Sequence, residues 1–163
     1  MRPMLATEGC MPELRSRPLF TIRMRLHPVQ LFGATPFGQR RVVPVSGGEF
    51  AGDRLRGVVQ PHGGSDWLLE RADGSFQQDA RVMLETNDGA LIAMTYRGVR
   101  HASAEVGARM ARGEAVDPGE YYLRTAPFFE TGSARYAWIN QIVAVGVGER
   151  LPDGVSYEVF EIL

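Results

Sequence analysis

Short runs of alternating apolar and polar residues, cut by glycine turns, recur along most of this chain, and that rhythm limits the fold more than any other feature. Phe20, Ile22, Met24 and Leu26 fall on one side of the first such run, and Thr21, Arg23, Arg25 and His27 on the other. A period of two marks a half-buried strand, whereas a helix needs apolar residues three and four apart. Turn signals then arrive roughly every ten residues, at Gly63-Gly64, Asp73-Gly74 and Asp88-Gly89. Asp-Gly between alternating runs is a strong hairpin signal, because glycine accepts the positive φ such turns require. The pattern predicts strands over residues 19–26, 40–45, 55–60, 65–72, 76–86, 89–100, 121–125, 135–147 and 156–162. Residues 101–113 (HASAEVGARMARG) form the only plausible helix, short and ended by glycine.

About nine strands joined by hairpin-length links, without βαβ alternation, make an antiparallel all-β domain, either a sandwich or a closed up-and-down barrel. Consecutive hairpins build a meander, and closure removes its edges, so the barrel is the expected form. With 163 residues the chain is long enough for one such domain, over residues 18–163, behind an N-terminal tail over 1–17.

Composition narrows the chemistry. All 18 basic residues are arginines, and without lysine there is no Schiff-base nucleophile, no pyridoxal-phosphate attachment point and no P-loop lysine. The formal charge of −1 and the lack of a basic block argue against nucleic acid as a partner. No window approaches the roughly 18 unbroken apolar residues of a membrane span. Cys10 is the single cysteine, which forbids an intrachain disulfide and fits a reducing, cytoplasmic setting. The histidines, His27, His62 and His101, match no metal-ligand spacing, so no metal is expected. Ser46-Gly47-Gly48 and Gly63-Gly64 lack the following helix of a phosphate cradle, and no G-x-S-x-G motif occurs. No cofactor is therefore expected, and acid–base side chains are what remain.

Two stretches concentrate them. Asp79, Arg81 and Glu85 alternate onto one face of a predicted strand, with Ala80, Val82 and Leu84 on the other. That charged face is either a solvated exterior or the lining of an interior cavity. In a cavity, a carboxylate beside a guanidinium would have a tuned pKa and could move protons. In the second stretch (YYLRTAPFFETGSARYAWIN, 121–140), Tyr122 and Arg124 share a face, and Tyr136, Trp138 and Asn140 share a face of the next predicted strand. Aromatic walls with a few orienting polar groups suit a small-molecule pocket, and equally a self-satisfied core.

The ordered strings GGSDW (63–67), DAR (79–81), TNDGA (86–90), YRGVR (96–100), YYLRTAPFFET (121–131) and YAWIN (136–140) resemble the DUF3237, or UPF0311, family. The resemblance spans 18–163 and implies an antiparallel barrel likened to streptavidin and the lipocalins. The family's recurring polar and aromatic positions correspond here to Asp66, Trp67, Asp79, Arg81, Arg124, Glu130, Trp138 and Asn140. For some members, cyclase- or dehydratase-like roles have been suggested.

The combined expectation is a small-molecule-binding barrel that acts as a cofactor-free isomerase, cyclase or dehydratase. Asp79 or Glu130 would take the proton and Arg81 or Arg124 would stabilise the oxyanion. Asp66, Trp67, Tyr96, Tyr122, Trp138 and Asn140 would contact the ligand. The alternatives are a non-catalytic carrier or sensor of an apolar or aromatic ligand, and a filled barrel acting through its surface as a homo-oligomer.

Overall fold

The computed structural model describes residues 13–163, so Cys10 and most of the tail lie outside the described residues. Ten strands are present among them, in one antiparallel sheet: β1 (Ser16–Leu26), β2 (Gln30–Thr35), β3 (Gly38–Ala51), β4 (Arg56–Val59), β5 (Ser65–Glu70), β6 (Phe76–Thr86), β7 (Leu91–Ala102), β8 (Tyr121–Glu130), β9 (Ala144–Leu151) and β10 (Gly154–Ile162). One α-helix, α1 (Ala104–Ala111), follows β7. No helix among the described residues is long and apolar enough to cross a membrane.

The sheet closes because β1 pairs with β10 on one side and with β3 on the other. β4 and β5 share one slot, both lying between β3 and β6, β4 towards one end and β5 towards the other. The ring therefore has eight strand positions, and β2 extends one rim beside β3. This is the expected barrel.

Alternation decides which residues enter it. Ile22 and Met24 of β1, Val82 and Leu84 of β6, and Ile92 and Met94 of β7 are all buried. A register shift between Pro18 and Phe20 is a bulge that turns both Leu19 and Phe20 inward. β3 serves different partners at its two ends, and Gly48, at φ +157°, lets it coil between them. A Cβ there would lie 2.0 Å from the carbonyl oxygen of Arg23.

Two expectations are corrected. β8 continues through Pro127 to Glu130, beyond the expected strand over 121–125. Proline is tolerated because β8 pairs with β9 only at Arg124 and Thr125, which leaves the strand unpaired on that side beyond them. Residues 135–147 are not one strand: Ala134–Gln141 form a 3-10 helix, and β9 starts at Ala144. Tyr136 and Ile139, the buried pair, are three apart, which is the period of that helix.

The two ends of the barrel differ. Towards Leu19, Phe50, Ile92 and Phe129 the interior is filled, with Phe20 tilted against Phe50 at 5.5 Å and edge-on to Phe129 at 5.8 Å. The 3-10 helix 134–141 plugs this end. At the other end the same strands enclose a cavity, and α1 lies across it.

Candidate active site

The cavity has a volume of about 830 Å³. Its walls are built by alternation: Arg41 and Val43 from β3, Asp66, Leu68 and Glu70 from β5, Phe76 and Gln78 from β6, Tyr96 and Arg100 from β7, and Tyr157 from β10. α1 contributes Gly107 and Met110. The helix is started by Ser103, whose hydroxyl accepts from the Val106 N–H at 3.2 Å.

Asp66 is the titratable centre. Its Oδ1 accepts from the backbone N–H of Asp79 at 3.0 Å, across the β5–β6 ladder. Burial pushes the carboxyl up to about 7, against the opposing pull of that N–H and of Arg100. Arg100 is brought down to about 10, first by burial and then by repulsion from Arg150, so it remains a cation at neutral pH. Its guanidinium sits 4.2 Å from the centroid of the Phe76 ring, and Arg41 approaches the same ring at 5.1 Å. Arg41 is ion-paired with Glu70. Tyr96 and Tyr157, both buried, stand with rings 5.6 Å apart. Burial raises both phenols above the ordinary tyrosine range, so each stays protonated and able to donate. Tyr157 fits because β9 carries glycine opposite it. A Cβ on Gly148 would lie 2.6 Å from the Tyr157 ring and 2.5 Å from Leu123.

Of the residues singled out from sequence, Asp66 and Tyr96 line this cavity and the other eight do not. Asp79 and Arg81 are exposed on the outer face of β6, Asp79 lying 3.8 Å from Arg97. The charged face is the exterior because Ala80, Val82 and Leu84, on the opposite side, fill the core. Arg124 faces outward on β8, over the Tyr122 ring and bonded to the Leu123 carbonyl. Tyr122 itself stacks on His101 at 5.1 Å on the exterior. Glu130 is exposed beside a second, smaller pocket of about 270 Å³ with Met83 and Leu91, at the filled end. Trp67 points outward against Phe32. Trp138 belongs to the plug, with Arg54 stacked on it at 3.8 Å, and Asn140 clamps the N–H and carbonyl of Thr131. Among the described residues, no cluster of His, Cys, Asp or Glu could hold a metal ion.

Sequence reasoning passed over Arg100, Gln78, Tyr157 and Arg41. Two of them carry a readable signal. Arg100 lies four residues beyond Tyr96 on the same strand, hence on the same face, and Gln78 is two residues before Ala80.

Residues 14–162 match the family model described as "Protein of unknown function (DUF3237)". A UPF0311 protein of Rhodopseudomonas palustris is 36% identical over 152 residues, covering 93% of this chain and 99% of that protein. A crystal structure from the same organism superposes with a TM-score of 0.90 at 36% identity, over 94% of this chain and 100% of that one. A "beta-barrel like protein" of Acinetobacter baumannii gives 0.83 at 38% identity, over 96% and 100%. More distantly, the hydroalkoxylation enzyme phnH of Penicillium herquei is 26% identical over 144 residues, 88% of this chain and 80% of that enzyme. The chain thus belongs to the DUF3237 (UPF0311) family of antiparallel β-barrels.

Proposed function

We propose that the protein is a cofactor-free enzyme that relocates a proton on a small conjugated carbonyl compound, as in an isomerisation, a cyclisation or a dehydration. The observation that carries this reading is a buried carboxyl, Asp66, facing the same cavity as a guanidinium, Arg100, that has no ion-pair partner among the described residues. A carboxyl with a pKa of about 7 both takes and returns a proton at neutral pH. A carrier of apolar ligands gains nothing from burying such groups, which cost stability unless they are used.

In a ring closure of a hydroxy-enone, Asp66 removes the proton from the substrate hydroxyl, and that oxygen adds to the β-carbon of the C=C–C=O unit. The electron pair of the C=C bond moves to the carbonyl oxygen, which becomes an enolate oxygen facing Arg100. The protonated Asp66 then delivers its proton to the α-carbon, so product and substrate are isomers and the enzyme is restored. Tyr96 and Tyr157 donate hydrogen bonds that orient the oxygens. Hydroalkoxylation, named for the distant Penicillium relative, is the addition of O–H across C=C and falls in this reaction class.

The test is turnover of a panel of ortho-hydroxyaryl enones in D2O, followed by mass spectrometry for deuterium at the α-carbon. Wild-type protein is expected to accelerate closure with one deuterium incorporated, and Asp66→Asn to lose about two orders of magnitude or more. An Asp66→Asn protein as fast as wild type overturns the assignment.

A further inference from the structure

The charges in the cavity do not balance, and the imbalance concerns its occupant. Three guanidiniums line it, from Arg41, Arg100 and Arg150. Arg41 is matched by Glu70. Arg100 and Arg150 have no carboxylate within ion-pair distance among the described residues, and the nearby Arg150 charge works against that of Arg100. Carboxylates at the rim are engaged elsewhere: Asp153 pairs with Arg23 on the outside, and Asp73 accepts from the hydroxyl and N–H of Ser75 and is attracted by Arg71. Asp66 faces the cavity but sits close to half-protonated at neutral pH, so it offsets only part of this charge. Arginine cannot discharge by losing its proton at working pH, so guanidiniums gathered from the half-buried wall to the rim of a cavity are best satisfied when an anion completes them.

A second observation is independent of charge. Gln78 is 4% exposed and lines the cavity, and its Oε1 is buried without a hydrogen-bond partner among the described residues. An unpaired buried amide oxygen is destabilising, and a polar group on a ligand to which the amide turned would offset that. Phe76, already faced by two guanidiniums, and the Tyr96–Tyr157 pair supply aromatic walls for a flat molecule.

We propose that the molecule taken into this cavity is a planar organic anion, a carboxylate or an ionised acidic phenol or enol, seated with its oxygens on Arg100 and Arg150 and a second polar group on Gln78. This rests on the catalytic reading above and names the substrate class for it. Arg100 then holds the substrate's resting charge in the place where enolate charge gathers.

The test uses three naphthalene probes on the full chain, with binding read by calorimetry at neutral pH. They are 2-naphthoate, 2,4-dinitro-1-naphtholate and the neutral 2-naphthamide. At least one anion is expected to bind about tenfold or more tighter than the amide, and which one does so tells carboxylate from phenolate recognition. Arg100→Gln should abolish the preference and Arg150→Gln should reduce it, while Arg97→Gln, on the outer surface, should leave it intact. Arg150 is an exposed rim residue, so its variant tests the idea even if Arg100→Gln fails to fold. Equal or tighter binding of the amide overturns the proposal. So does a preference that survives both substitutions, or no binding of either anion at about 1 mM. Asp66→Asn should bind the anions at least as well as wild type. Intact anion binding with undiminished Asp66→Asn turnover would sink the catalytic reading alone. Loss of anion preference with Asp66-dependent turnover would sink this one alone.

Discussion

The two ends of the barrel are built by the same strands under the same alternation, yet one is filled and the other is hollow. On β6 the inward series runs Phe76, Gln78, Ala80, Val82, Leu84, and on β7 it runs Ile92, Met94, Tyr96, then Arg100. Read towards the plug, these positions are aliphatic and close-packed. Read towards α1, the same faces become polar and stop touching one another. A period of two settles which side of a strand turns inward, but whether the inside is packed depends on side-chain volume and on what caps the end. Here the filled end supplies stability, and the hollow end spends some of it on uncompensated polar groups, a pattern expected where a site is held by a rigid scaffold.

The sharpest break of that contrast is to open the filled end. Phe50 is 2% exposed and packed on Phe20. Phe50→Ala should cost about 3–5 kcal/mol in denaturant unfolding, because the cavity left behind cannot collapse among strands on all sides. Phe76→Ala at the hollow end should cost clearly less, since that ring already borders open space. A reversed order would mean that the hollow end, not the plugged one, holds the barrel together.

The second prediction concerns the buried carboxyl. Asp66 has its folded pKa raised to about 7 from an unfolded 3.8. Below the lower value both states are protonated and the fold carries no penalty. As pH rises, the unfolded chain ionises first, stability drains away between the two values, and above about 7 the loss is complete. Asp66→Asn should therefore gain on wild type by roughly 2–4 kcal/mol between pH 4 and pH 8. Glu161 and Asp88, whose carboxyls are lowered chiefly by hydrogen bonds from Arg17 and from Thr86, push stability the opposite way. They do so in both proteins, so they cancel in the difference. A flat difference across that range would show that Asp66 ionises as it would in water.

Third, Gly148→Ala should cost about 1–3 kcal/mol by overpacking, because the new methyl meets Leu123 and the Tyr157 ring from the wall side. It should also weaken turnover by pushing Tyr157 into the cavity. Loss of stability without loss of turnover would remove Tyr157 from the site.

These residues also show what was legible beforehand. Hairpin glycines and alternation were enough for the barrel, because both act within a few residues along the chain. Asp66 and Tyr96, singled out from the sequence, line the cavity, and from Tyr96 the register alone leads to Arg100. The faces of β6 were separable in sequence, but which of them faced inward was not: Asp79 and Arg81 form a conspicuous charged pattern, whereas Gln78 is a single polar residue on an aliphatic face. The strand expected over 135–147 failed for a related reason. Tyr136, Trp138 and Asn140 alternate as a strand would, yet burial selects Tyr136 and Ile139, a choice made by packing against the rest of the core. Tyr157 is brought to Asp66 by closure of the barrel and Arg41 by the pairing of β3 with β5, long-range events that no local pattern records.

The smallest effect tests the inside–outside division most directly. The Asp79 side chain is about half exposed and 3.8 Å from Arg97, a contact of the kind that contributes little in water. Asp79→Asn and Arg81→Gln should each change stability by less than about 0.5 kcal/mol. The backbone N–H of Asp79, which holds Asp66, is retained in the first variant. Its charge is not, and that charge is one of the influences raising the Asp66 carboxyl. Asp79→Asn should therefore keep its maximal rate while the pH–rate profile moves slightly towards acid, whereas Arg81→Gln, which is not among those influences, should move nothing. Abolished turnover in either variant would mean that the outer face of β6 takes part in the chemistry, and the division between a reactive interior and an inert exterior would fall. A small acid shift in one and none in the other would show instead that a strand transmits charge across its own thickness to the carboxyl on the far side.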